Sequence, residues 1–270
     1  MPLFPLPFHP LLCRLVGGLA LLSVCACSTL KMPGLHDARV LPEGEWAVSL
    51  QGTTAASIDQ ALLAAGHGQD SILGVTYDSG GYAGTVNAGA DPLIGANFAR
   101  GMGNGWELNG GADVSPFGPG CVMVDLGLKK RLYANPRLLL TAYGRVALGS
   151  TPNEISYRDG GSNEERIFSL ETQSYQAEAE LLSLVRIFPR LSWYFNAGPT
   201  AGSIVYDLRE NSNDAAFQGN VPVYGIKTQM GITFEAQRFE MLWEWGANFL
   251  NYGYVPSLGA RFAYKTGWAE

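Results

Sequence analysis

Residues 224–249 constrain the fold more tightly than any other stretch. Tyr224, Ile226, Thr228, Met230, Ile232, Phe234 and Ala236 alternate with Gly225, Lys227, Gln229, Gly231, Thr233, Glu235 and Gln237. After a break at Arg238, Phe239, Met241, Trp243, Trp245, Ala247 and Phe249 alternate with Glu240, Leu242, Glu244, Gly246, Asn248 and Leu250. A period of two sends successive side chains to opposite faces of a strand, so this is a hairpin with one oily and one mostly polar face. Each arm holds roughly a dozen residues, against about 5–6 for a strand in a globular domain. About 9–11 tilted residues cross a bilayer. The hairpin therefore has the dimensions of a transmembrane β-barrel.

The same pattern recurs along the chain and predicts an all-β, antiparallel up-and-down transmembrane barrel. Ten strands are expected near 44–54, 92–102, 105–114, 120–133, 137–149, 172–187, 191–206, 223–237, 239–250 and 256–268. Twelve is the alternative, should 72–77 and 82–88 add a further hairpin. Short connections at Gly103-Asn104, Ala134-Asn135-Pro136, Phe188-Pro189-Arg190 and Arg238 alternate with longer ones over 55–91, 115–119, 150–171, 207–222 and 251–255. That asymmetry fits short periplasmic turns facing longer external loops. An even strand number puts both termini on the periplasmic side.

Alternation alone does not say which face points outward, because a soluble calyx buries its oily side. Aromatic placement decides it. Trp46, Trp106, Trp193, Phe239, Phe234 and Trp268 fall at one level, and Tyr175, Tyr224 and Phe249 at the other. Two aromatic belts around an apolar band are what interfacial anchoring produces. Tyr133 and Tyr206 have suitable levels, but strict parity turns them inward unless a bulge intervenes. With the oily side out, Lys129, Arg131, Arg145, Glu178, Glu180, Arg186, Lys227, Glu235, Glu240, Glu244, Arg261 and Lys265 project into the lumen. Charges removed from bulk water are tolerated when paired, which predicts a lumenal charge network.

The N-terminus carries a secretory pattern. Residues 15–24 are an apolar run behind Arg14, too short for the roughly 20 residues of a membrane-spanning helix. The run ends in Val24-Cys25-Ala26-Cys27-Ser28, which resembles the bacterial lipoprotein box. The resemblance implies acylation of Cys27 by lipoprotein-processing enzymes, and Ser28 is not the Asp that retains lipoproteins at the inner membrane. An ordinary signal peptide cut nearby without lipid is the alternative. The resulting division is a signal peptide over 1–26, a lipid-anchored periplasmic tether over 27–43 and a barrel over 44–270. Near the C-terminus, Ser257, Gly259, Phe262 and Tyr264 stand in a pattern that resembles the β-signal read by the barrel-assembly machinery, although the chain continues past it to Glu270. The resemblance is thus to bacterial outer-membrane β-barrel proteins as an architecture, and it implies outer-membrane lipids as the surroundings.

No pattern announces a reaction. The net charge of −6 argues against a nucleic-acid partner. His67, Asp70 and Ser71 lie together in the 55–91 loop, but closeness in sequence does not make a triad. Glu235, Glu240 and Glu244 suggest a two-carboxylate glycosidase less than they suggest ion pairs with Lys227, Arg261 and Lys265. His9 falls in the signal and His36 in the tether, so no two histidines pair as metal ligands, and no cofactor is implied. The readings that remain are a structural or surface-interaction barrel, which is favoured, then a narrow channel for small solutes, then a rim hydrolase.

If Cys27 is the acylated first residue, Cys27→Ser abolishes lipid labelling. An intact mass showing an unmodified N-terminus, or lipid on Cys25, would contradict this.

Overall fold

The computed structural model describes residues 29–31, 34–57, 71–72, 75–76, 90–115, 121–158, 165–210, 216–251 and 253–266. Ten strands form the barrel: β1 (Trp46–Ser57), β2 (Ala90–Gly103), β3 (Trp106–Val114), β4 (Val122–Ala134), β5 (Leu138–Arg158), β6 (Glu165–Phe188), β7 (Leu191–Glu210), β8 (Ala216–Ala236), β9 (Phe239–Leu250) and β10 (Gly253–Lys265). Each pairs antiparallel with its neighbours in sequence, and β10 pairs with β1, which closes the cylinder. Along Ala47–Thr53, where β1 meets β10, closure leaves no unpaired edge for lipid to meet.

The outer wall is apolar. Val122, Val124, Leu126 and Leu128 of β4 are all about half exposed, whereas Met123 and Asp125 between them and Lys129 after them are buried. Trp46, Trp106, Trp193, Phe234 and Phe239 face outward at the short-turn end, and Tyr175, Tyr224, Phe249 and Tyr254 at the long-loop end. From Phe234 up to Tyr224 the strand rises about 33 Å at roughly 3.3 Å per residue. A tilt of about 40° reduces that to roughly 25 Å, the height of the apolar band of an outer-membrane barrel. A register shift at Arg131/Tyr133 turns Tyr133 outward, while Tyr206 points inward and is buried.

Three features differ from the sequence-based expectation. First, β5 to β8 run through 150–158, 165–171, 207–210 and 216–222, which read as loop. Above the membrane both faces of a strand meet water, so the apolar alternation fades although the ladder continues. Second, between Ser57 and Ala90 the described residues show only Ser71–Ile72 paired with Val75–Thr76, a separate two-stranded sheet, so the barrel has ten strands.

The third difference concerns the N-terminal segment expected as a periplasmic tether. Thr29–Lys31 pairs with Ala55, Ala56 and Ser57 at the long-loop end of β1. Leu35, His36, Asp37, Ala38 and Val40 are buried inside the barrel. A tether lying outside at the short-turn end is therefore not what the described residues form. Nothing in 29–43 alternates, so periodicity gave no means of seeing this placement. The short-turn hairpins are tight, with left-handed backbone at Gly103, Asn104, Gly105 and Gln237.

Leu126 and Trp243 sit on the exposed band, so replacing either with Arg costs about 2–4 kcal/mol near the midplane. Reversible unfolding in lipid vesicles reads this directly. A harmless Leu126→Arg together with solubility in detergent-free buffer would contradict the outward assignment.

Candidate functional site: the occupied lumen

The interior of the barrel is lined by inward side chains of every strand and filled by residues 34–41. The filling is held by specific bonds. Glu244 of β9 accepts from the backbone N–H groups of Gly34 and Leu35 at 3.1 and 3.2 Å, and Tyr194 of β7 donates to its other oxygen at 3.1 Å. His36 Nε2 lies 2.9 Å from the Tyr143 hydroxyl, and its carbonyl accepts from Asn196 at 2.7 Å. Thr141 donates to the Ala38 carbonyl at 2.6 Å, Lys129 to Arg39 O at 3.3 Å and Arg131 to Val40 O at 3.0 Å. Leu41 N–H donates to Glu107 at 2.8 Å. A backbone buried away from water requires such partners, and here the barrel wall supplies them.

A small apolar core reinforces the polar contacts. Leu35 and Ala38 pack with Leu182 and Leu184 of β6, Leu242 of β9, Tyr143 and Tyr194. These leucines stand on the inward face of otherwise polar strands, where water would meet them if the lumen were empty. Glycines seat the two tyrosines. A Cβ at Gly127 would collide with the Tyr143 ring, and one at Gly231 with the Tyr194 ring.

The charged residues fall into two groups. At mid-depth Glu178 is shared by Arg145 and Lys227, each at 2.6 Å, and Lys227 also reaches Glu180 at 3.6 Å. Lys227 is 1% exposed, a position open to an ammonium only where carboxylates surround it. At the short-turn mouth Glu235 and Glu240 are direct cross-strand partners. Like charges in that arrangement repel. Arg39 of the lumenal segment bonds both of them and Asp37, Lys265 bonds both, and Arg261 bonds Glu240. Lys129 pairs with Glu107 at 3.1 Å.

Every charged position named from the sequence points to the lumen or its mouth; Arg145, Glu178, Glu180 and Lys227 form the first cluster, Glu235, Glu240, Arg261 and Lys265 join the second, and Lys129 pairs separately with Glu107. Arg131 and Arg186 stand at the solvent-open mouth, beside a cavity of about 500 Å³ that Asp37, Arg39, Glu107 and Glu235 also line. Glu244 keeps apart from Glu235 and Glu240, and the latter two are saturated by cations, so no acid–base pair is set for glycoside hydrolysis. Of the β-signal positions, Ser257 points inward and Phe262 and Tyr264 outward, while Gly259 lies against Leu35. Cys27, His67 and Asp70 lie outside the described residues, as does the side chain of Ser71.

Sequence reasoning missed His36, Asp37, Arg39, Tyr143 and Tyr194. A signal existed: Leu182, Leu184 and Leu242 interrupt the polar face and require an apolar partner inside. Leu35 and Ala38 are that partner.

No protein-family model and no curated protein matches the sequence. In fold the chain is similar to the outer membrane protease OmpT of Escherichia coli, at 10% identity over 85% of this chain and 98% of that one, with a TM-score of 0.48. It is also similar to the NalP autotransporter translocator domain of Neisseria meningitidis (11%, 84% and 90%, 0.41). A third is Ail, the attachment invasion locus protein of Yersinia pestis (12%, 83% and 99%, 0.38). The likeness is of fold alone and assigns no chemistry. The chain's own architecture is a closed, antiparallel ten-stranded β-barrel with the apolar outer wall of a membrane-spanning barrel.

Proposed function

We propose that this chain is an outer-membrane lipoprotein whose barrel serves as a closed, non-enzymatic scaffold with a structural or surface-interaction role. One observation carries the proposal: the lumen is occupied by the chain's own residues 34–41, bonded to six of the ten strands. The bonded strands are β3, β4, β5, β7, β8 and β9, through Glu107, Lys129, Thr141, Asn196, Glu235 and Glu244. A ten-stranded barrel is near the size that side chains alone fill, and an added backbone narrows the interior further. Asp37, Arg39, Val40 and Leu41 of this segment line the cavity at the short-turn mouth. Work done by such a protein falls to its long-loop face and to its lipid.

Transport of small solutes is the competing outcome, and conductance separates the two. The purified protein in a planar bilayer is expected to give no steady steps. A Glu244→Ala, Arg39→Ala double variant removes two of the strongest holds on the segment, and transient openings are expected from it. Stable, large single-channel steps from the unaltered protein would overturn the scaffold reading.

A further inference from the structure

The lumenal segment has a direction. β1 climbs from Trp46 at the short-turn end to Ser57 at the long-loop end, and Thr29–Lys31 pairs with its last three residues. Ala55 and Ala56 also pair with Asp91 and Ala90 of β2, so Thr29–Lys31 must occupy the opposite edge of β1. That edge pairs with β10 only as far as Thr53. The N-terminal strand thus adds to β1 above the point where the first and last strands part, and it also lies close to β5 and β6.

From there the segment descends. Glu244, which holds Gly34 and Leu35, stands five residues above the start of β9. Thr141, which holds Ala38, stands three above the start of β5, and Glu107, which holds Leu41, one above the start of β3. Gly44 then bonds Gly101 at the foot of β2, and the chain enters β1. The twelve residue-to-residue steps from Lys31 to Glu43 reach at most about 40 Å. One crossing of a band about 25 Å tall uses that length, and no second crossing fits beside the first.

We propose that the mature N-terminus leaves the barrel on the long-loop, outer face, having been threaded through its own lumen, and that acylated Cys27 anchors in the outer leaflet. The lipid half rests on the lipoprotein reading above. The geometry supplies the rest: Cys27 stands two positions before Thr29, a reach of about 7 Å, too little to return through a filled lumen. The level also fits. Ala55–Ser57 lies about ten residues above Trp46, the same rise that separates Phe234 from Tyr224, so the chain emerges at the outer aromatic belt. The barrel would then be tethered on the surface side, and the lumenal segment would be the part of the chain that carries the anchor across.

An epitope inserted between Ser28 and Thr29, probed by antibody on intact cells, tests this. A second epitope in the Asn135-Pro136 turn marks the inner face. The expected result is a signal on intact cells at least tenfold above that of the turn epitope, which requires permeabilisation. An N-terminal epitope detected only after permeabilisation would overturn the proposal. A crosslink covers the case in which the insertion disturbs assembly. A Cβ at Gly259 lies within 2.7 Å of the Leu35 side chain, so Leu35→Cys, Gly259→Cys in a Cys121→Ser background should form a disulfide that shifts mobility without reductant. No crosslink would overturn the crossing. Mass spectrometry of the N-terminal peptide separates the two halves: a surface epitope with an unmodified Cys27 upholds the crossing and overturns the lipid anchor.

Discussion

A polar group buried inside a membrane barrel has no water to fall back on, and each inward charge must find a partner within the cylinder. That requirement organises the molecule. The two cations at mid-depth sit on the shared carboxylates of β6, and a pair of facing glutamates at the mouth is neutralised by three cations, one of them brought in by the N-terminal segment. Glu244 shows the dependence most clearly. Besides one tyrosine hydroxyl, its hydrogen bonds come from backbone amides of that segment. Withdrawing the segment would strand Glu244, bare Leu182, Leu184 and Leu242, and leave Glu235 and Glu240 short of a guanidinium. Wall and filling are therefore one cooperative structure, in which each satisfies groups the other leaves open.

The outside follows a different rule. Lipid rewards apolar area and tolerates little else, so the outward residues are monotonous between two aromatic belts and carry no sign of function. Above the outer belt the ladders of β5 to β8 continue into water, which gives one side of the barrel a taller wall than the other.

How much of this was legible in the sequence depends on which physical signal each part leaves. The strands inside the bilayer were legible because one face is oily and the other is not, and parity then placed Lys227, Glu178 and Arg145 in the lumen residue by residue. Strand extensions above the belt were invisible because both of their faces are wet. The lumenal segment was invisible for another reason. Residues 34–41 adopt no repeating conformation, with Leu35 even in left-handed backbone, so their burial follows from complementarity with the wall and leaves no period to read. The leucines facing inward were the trace it did leave. A bulge such as the one that turns Tyr133 outward is likewise decided by local register and not by composition.

The central claim is that residues 34–41 are a built part of the barrel interior. Hydrogen–deuterium exchange of the protein in lipid nanodiscs tests it most directly. The amides of Gly34, Leu35 and Leu41, which donate to Glu244 and Glu107, are predicted to exchange as slowly as those of the membrane-embedded strands, and Glu244→Ala should release the first two. Exchange of all three within seconds in the unaltered protein would contradict the account.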